Sequence, residues 1–176
     1  MLNIVYYGDP VLREECEDFK QIDEEAVNLA QDMLVAMETY KGVGLAGPQI
    51  GIRKKIFVIK MGEDAKPLFF FNPEILEVSE EENIAEEGCL SLPGIWEKII
   101  RPASIKLKYT NEKDEEKIEQ IDGFLARVVQ HENDHLHGRL FIDHLSLVKK
   151  RLLKKALTKI KNGEIDEEYL PEKDRI

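Results

Sequence analysis

Residues 122–138 read DGFLARVVQHENDHLHG. The spacing predicts one helix, opened at Asp122 and Gly123 and closed at Gly138. Positions i and i+4 share a helix face, so His131 and His135 can reach one cation together. Phe124 and Val128 continue the same stripe, which predicts a buried helix with its histidines turned inward. Glu132 sits one position round from His131. It is near enough to touch a water beside a bound cation without being a ligand itself. The plain alternative is an amphipathic helix on which two histidines and a glutamate fell together by chance.

On either side of this helix, the chain alternates between short apolar runs and helical patterns. Asp23 is a helix cap, with Glu24 and Glu25 at the positive end of the dipole. Leu29, Met33, Ala36 and Tyr40 follow at helical spacing, and Gly42 is the expected stop. Residues 56–59 (IFVI) and 68–71 (LFFF) read as buried strands, and 104–109 alternates with Ile105, Leu107 and Tyr109 on one face. A last helix is expected from Ser146 to Lys161. The order predicts an α+β domain, with mainly antiparallel strands packed around a central metal-binding helix and a C-terminal helix. The expected boundaries are a catalytic domain over 1–161 and an acidic tail over 162–176.

Two histidines do not complete a metal site, which needs a third protein ligand. One group of proteases with His-Glu-x-x-His takes a further His six residues past the second, but Phe141 stands there. Another uses a Glu about twenty residues on, where the chain reads Lys154-Lys155-Ala156. His137 points elsewhere on the helix, and His144 is expected at the surface or in support of the site. Upstream, Cys89 lies in EEGCLSLPG (86–94). Its glycines and proline mark an irregular backbone whose amides can be left free for a ligand. A lone cysteine is usually a small buried hydrophobe, and that reading fits Cys16. For Cys89 the need for a third ligand favours coordination.

Residues 42–49, GVGLAGPQ, contain G-x-G-x-x-G. The dinucleotide reading fails because that fingerprint must follow a strand and open a helix. The stretch is either a tight helix-to-strand connection or a loop that brings its backbone and the Gln49 amide close to a substrate.

Composition sets the outer limits. The 176 residues suggest one domain, able to bury roughly 70% of its unfolded surface. A charged fraction of 34% beside 43% hydrophobic residues excludes a disordered chain. The net charge of −10 argues against a protein that coats nucleic acid, DNA included. Two cysteines are too few for a disulfide framework. MLNIVYYGDPVLR has no charged leader or apolar core of a signal, and no apolar run approaches the ~18–20 residues that span a bilayer. A reducing cytoplasm is the expected setting.

Together the motifs resemble the bacterial peptide deformylases, which carry G-x-G-L-A-A-P-Q, E-G-C-L-S and H-E-x-D-H. Here they stand as GVGLAGPQ (42–49), EGCLS (87–91) and HENDH (131–135), with GDPVLR (8–13) also similar. The resemblance covers about the first 150 residues. One position departs from it: Gly47 replaces the family's usual alanine, and the lost methyl is expected to loosen the loop slightly. The resemblance implies hydrolysis of the N-formyl group from nascent formyl-methionyl polypeptides, releasing formate. Cys89, His131 and His135 would hold one divalent ion, Fe²⁺ in the cell, with Zn²⁺, Ni²⁺ or Co²⁺ able to substitute. Glu132 would move the proton, while the Gln49 side chain and the Leu90 backbone N–H would meet the developing oxyanion. Gly44 would bind the peptide backbone, with Val43 beside it. Phe124, Arg127, Val128 and Trp96 would stand near the methionine pocket. Two other readings compete: a metalloprotease, weakened by its missing downstream ligand, and a non-catalytic peptide binder, which would be expected to have lost Glu132, Gln49 or a ligand.

Residues 149–161, KKRLLKKALTKIK, carry seven basic residues and no acidic one. Leu152, Leu153, Ala156 and Ile160 keep roughly helical spacing and are expected to pack, leaving a basic stripe. The stripe is either a solvated surface or a weak, salt-sensitive ribosome contact, the latter implied by the resemblance. Glu164, Asp166, Glu167 and Glu168 are expected to fold back and mask it.

Overall fold

The computed structural model describes residues 2–171. Helix α1 (Glu24–Thr39) leads into the short strand β1 (Gly44–Ala46), then β2 (Ile56–Ile59) and β3 (Leu68–Val78). A two-stranded excursion, β4 (Glu82–Glu87) and β5 (Glu97–Pro102), precedes β6 (Ser104–Thr110) and β7 (Glu116–Asp122). Helices α2 (Gly123–Leu136) and α3 (Leu147–Lys161) complete the order. Five strands pair antiparallel in the order β1-β2-β3-β6-β7, and β4 pairs with β5 alone. The α+β architecture is the one expected.

The apolar runs have a simple cause. Successive strand residues point to opposite faces, and this sheet has a helix on each face. Ile56, Val58, Phe69 and Phe71 join the α1 residues Ala26, Ala30, Met33 and Met37 in one core. Phe57, Ile59 and Phe70 join Ala126, Val129 and Leu136 of α2 in another. A strand covered on both sides must be apolar throughout. A third core under α3 holds Leu92, Ile95, Ile99, Phe141, Leu157 and Ile160.

Several expectations need correction. The buried face of α1 is centred on Ala26, Ala30, Met33 and Met37, while Leu29 and Tyr40 are only partly buried. Gly42 is not the helix stop. Lys41 takes the left-handed position at φ 59°, at a cost of about 1 kcal/mol for a residue with a Cβ. Gly42 is needed for space instead, since a Cβ there would lie 2.7 Å from Leu90 Cδ1. Gly138 does close α2, at φ 65°. On α3, Leu153, Ala156, Leu157 and Ile160 pack, whereas Leu152 is 78% exposed. Of the acidic residues after α3, Glu168 lines, with Tyr169 to Pro171, a cleft described below, and residues 172–176 of the expected tail lie outside the described residues. Among the described residues no helix is long and apolar enough to cross a membrane.

Gly47 is also not the loose point its missing methyl suggests. A Cβ there would lie 2.7 Å from the Lys54 carbonyl and 2.8 Å from that of Ile52. The chain at 52–54 has closed into the space, and Ile52 N–H donates to the Gly47 carbonyl at 3.0 Å. Gly47→Ala is therefore expected to destabilise the fold by about 1–3 kcal/mol, the usual cost of overpacking. Urea unfolding checks this; a midpoint at or above that of the parent would show that 52–54 yields freely.

Candidate metal centre

Helix α2 runs under the sheet and presents His131 and His135 one turn apart, with ring centroids 5.1 Å from each other. Cys89 enters from the irregular loop after β4, where Leu92 N–H closes a turn on the Cys89 carbonyl at 2.9 Å. One ligand atom from each of Cys89, His131 and His135 lies within 4.8 Å of the others. Cys89 Sγ is 3.3 Å from His135 Nε2. Both imidazoles are buried.

The surroundings suit a cation. Burial holds His135 well below the ordinary imidazole value, so its ring is neutral, as a ligand must be. Burial also opposes charge on His131, yet Cys89 and Glu87 outweigh it and raise His131 well above the ordinary value. That spot attracts positive charge, and a bound ion would displace the proton. Glu132 is buried, and its Oε2 has no hydrogen-bond partner among the described residues. Such an orphaned carboxylate oxygen is costly and fits a site completed by a cation and its water. Two imidazoles and a thiolate match the donors of a mononuclear catalytic site.

A buried ionic network holds the ligands. Glu87 receives Arg101 through Nε at 2.7 Å and Nη2 at 3.0 Å, and Arg127 Nη1 at 2.6 Å. Its other contact is His131 Nδ1 at 3.0 Å. Burial would raise Glu87, but its bonds from His131 and Arg101 hold it far below the usual carboxylate range. A carboxylate on Nδ1 leaves Nε2 of His131 for the metal and fixes the ring. Asp134 accepts from Arg101 Nη1 at 2.9 Å and contacts His144 Nε2 at 2.8 Å. His137 lies outside this network, with Nδ1 2.5 Å from Glu15 Oε1.

Gln49 is also buried. Its Oε1 accepts the Ala46 N–H at 2.8 Å, which turns Nε2 toward Cys89 Sγ and Ser91 Oγ, each at 3.4 Å. The Glu132 carboxylate fills the space where a side chain at position 44 would begin. Only glycine at 44 leaves Glu132 in place.

Cys89, His131, Glu132 and Gln49 open on one cleft of about 710 Å³. Val43, Gly44 and Leu90 line one side of it, and Trp96, Phe124, Arg127 and Val128 another. The expected residues thus come together. Two differ in detail from the sequence reading. Phe124 is 59% exposed at the rim, not buried with the stripe, because α2 emerges from under the sheet at its first turn. The Arg127 guanidinium is committed to Glu87, the Ile99 carbonyl and Asn83, so only its stem can face the cleft. Sequence reading gave no role to Glu87, Asp134 or Ser91, although all three lie inside or beside the quoted motifs. Arg101 carried no local signal.

A model of the polypeptide deformylase family matches residues 1–151. The chain belongs to that family. It is 44% identical over 172 residues to the peptide deformylase of Cytophaga hutchinsonii, covering 94% of each chain. It is 45% identical over 160 residues to that of Thermotoga maritima, covering 91% of this chain and 96% of the relative. The crystal structure of the Ehrlichia chaffeensis peptide deformylase in complex with actinonin superposes with a TM-score of 0.86 at 35% identity, over 93% of this chain and 98% of that one. As a deformylase the chain is a metal-dependent hydrolase that removes the N-formyl group from new polypeptides.

Proposed function

We propose that this cleft cleaves the formamide C–N bond of an N-formyl-methionyl chain with Glu132 as the proton carrier. The observation behind this reading is a buried carboxylate beside Cys89, His131 and His135, with one oxygen unpartnered among the described residues. Cys89, His131 and His135 would hold a divalent ion, which when bound would lower the pKa of water and so supply a nucleophile near neutral pH. Glu132 takes the proton from the attacking water at Oε2 and delivers it to the leaving amine. Burial raises Glu132 above the usual carboxylate value, which favours a group that both accepts and returns a proton. The Gln49 Nε2–H and the Leu90 N–H donate to the oxyanion as it develops. Strand β1 lies at the sheet edge, so a peptide can add beside Gly44 and Val43 as a further strand. Phe124, Val128 and the Arg127 stem form the methionine pocket, with Trp96 near it. Formate release from a formyl-methionyl peptide, measured anaerobically with defined metals, tests the whole reading; peptide-bond cleavage without formate would replace it with a protease.

The metal in the cell is Fe²⁺ on this reading, with Zn²⁺, Ni²⁺ or Co²⁺ able to substitute, since an N₂S donor set suits all four. A thiolate on a redox-active ion has an oxidation route open to it, so Cys89 is exposed to the sulfenic ladder in the iron form. Activity is expected to decay in air with Fe²⁺ and to persist with Ni²⁺. Equal half-lives in the two forms would remove this argument.

The catalytic domain is taken as 1–161, ending with α3, with an acidic tail from 162 and a bacterial cytoplasmic setting. Arg151, Lys154, Lys155 and Lys159 are exposed along α3, while Lys149 binds Glu97 and Lys150 the Asp143 carbonyl. The exposed cations form a surface for weak ribosome contact by counterion release. Arg151→Glu/Lys154→Glu/Lys155→Glu is expected to abolish co-sedimentation with ribosomes at low salt and to leave short-peptide turnover unchanged. Continued pelleting of the reversed protein would end the docking role.

A further inference from the structure

The match to the family ends at residue 151, yet the cleft does not end with it. After α3 the chain turns back through a short 3-10 turn at Glu167–Tyr169, with Tyr169 N–H donating to the Asp166 carbonyl and Leu170 N–H to that of Glu167, both at 3.0 Å. Glu168, Tyr169, Leu170 and Pro171 line the same cleft as the metal ligands. The Tyr169 ring rests on Gly94, its Cε2 3.3 Å from where a Cβ would stand. Gly94 lies at φ 76°, a position that favours glycine and keeps the ring's seat free. At the other end of the same loop, the Trp96 ring covers Gly88 at 2.7 Å from the equivalent point. The loop that carries Cys89 is therefore flanked by two aromatic rings, Trp96 60% and Tyr169 36% exposed.

We propose that Tyr169, on the same cleft as Trp96, builds an apolar subsite for the residues that follow the formylated methionine, making the C-terminal segment a specificity determinant. The cleft is large enough for more than one residue, being of the size that holds a drug-sized ligand. Rigid aromatic rings that are partly exposed in the free protein offer contact area at little ordering cost, and they favour aliphatic and aromatic partners over small polar ones. The segment that carries Tyr169 lies past the residues that the family model matches. The inference rests on the deformylation reading above.

Formate release from formyl-Met-Leu-Tyr and formyl-Met-Ser-Ser is compared in the metal-loaded full chain, its Tyr169→Ala variant and its Tyr169→Phe variant. The parent is expected to prefer the apolar peptide. Tyr169→Ala should lose about five- to tenfold in kcat/KM on that peptide, carried by KM with kcat unchanged, and almost nothing on the polar one. Tyr169→Phe should keep the preference, since the ring and not the hydroxyl makes the surface. Trp96, the single tryptophan of the chain, gives an independent readout. Its fluorescence should respond to the product peptide Met-Leu-Tyr at lower concentration in the parent than in Tyr169→Ala. Equal effects on both formyl peptides, no effect on either, or a gain on both (the sign of an occluding flap) would overturn the subsite. Failure of the parent to release formate from either peptide would instead fall on the deformylation reading and take this inference with it.

Discussion

Glu132→Ala is expected to keep the metal and lose the reaction, with turnover falling by about 10²–10⁴-fold, the usual contribution of a positioned acid–base group. The geometry separates the two functions. The atoms that could hold a metal belong to Cys89, His131 and His135, whereas Glu132 lies against Gly44 on the cleft side of α2. Removing its carboxylate also removes a buried group with an unpartnered oxygen among the described residues, so the fold has no reason to suffer. Glu132→Gln keeps the shape and removes only the proton acceptor; it should fail in the same way. Metal content and formate release are to be measured on one preparation of each variant. Parallel loss of metal and activity would make Glu132 a ligand or a structural group. Gly44→Ala gives a related readout by a different route, because its methyl would take the space that the Glu132 carboxylate occupies.

What the sequence made legible was whatever repeats over a short range. The i, i+4 histidines of α2 and the runs IFVI and LFFF each carry their reason within a few residues, as does the alternation of Ile105 and Leu107. The strands that escaped notice are those without a full apolar pattern. β1 is three residues inside a glycine-rich stretch. β4 has the polar sequence ENIAEE, and its Ile84 pairs with Ile100 of β5 on an exposed face. β7 buries little besides Ile121. The third ligand could be inferred because two histidines leave a site incomplete, and that argument needs chemistry rather than distance. The network behind the ligands could not be inferred in this way. Glu87 meets Arg101 and Arg127 across 14 and 40 residues of chain, and nothing local in EKIIRP tells a buried arginine from an exposed one. Arg127 shows the same limit from the other side. Its place on the cleft was readable, but its commitment to Glu87 depends on where β4 falls in space. Tyr169 was legible only as part of an acidic run.

The two cysteines give the sharpest contrast that this site allows. Cys89→Ala is expected to weaken metal binding by more than about 100-fold, since even outer-shell partners of a metal site are worth 10–100-fold and Cys89 is one of only three candidate ligands among the described residues. Cys16→Ala is expected to leave metal binding unchanged. Cys16 is buried in the core between α2 and the sheet. Burial, with the charge of Glu15 adding to it, pushes its thiol up to about 11, so it stays protonated and behaves as a small hydrophobe. Its loss costs packing, not coordination, and should appear in unfolding curves alone. Cys89 lies where the loop after β4 meets α2, its Sγ 3.3 Å from His135 Nε2 and 3.4 Å from Gln49 Nε2. Removing it takes away the anionic ligand and leaves two neutral imidazoles, a set that holds divalent ions poorly. Titration of each metal-loaded variant with a chelator reads the difference directly. Equal retention of metal by the two variants would exclude Cys89 from the site, and with it the reason the deformylase chemistry is placed at this end of the cleft.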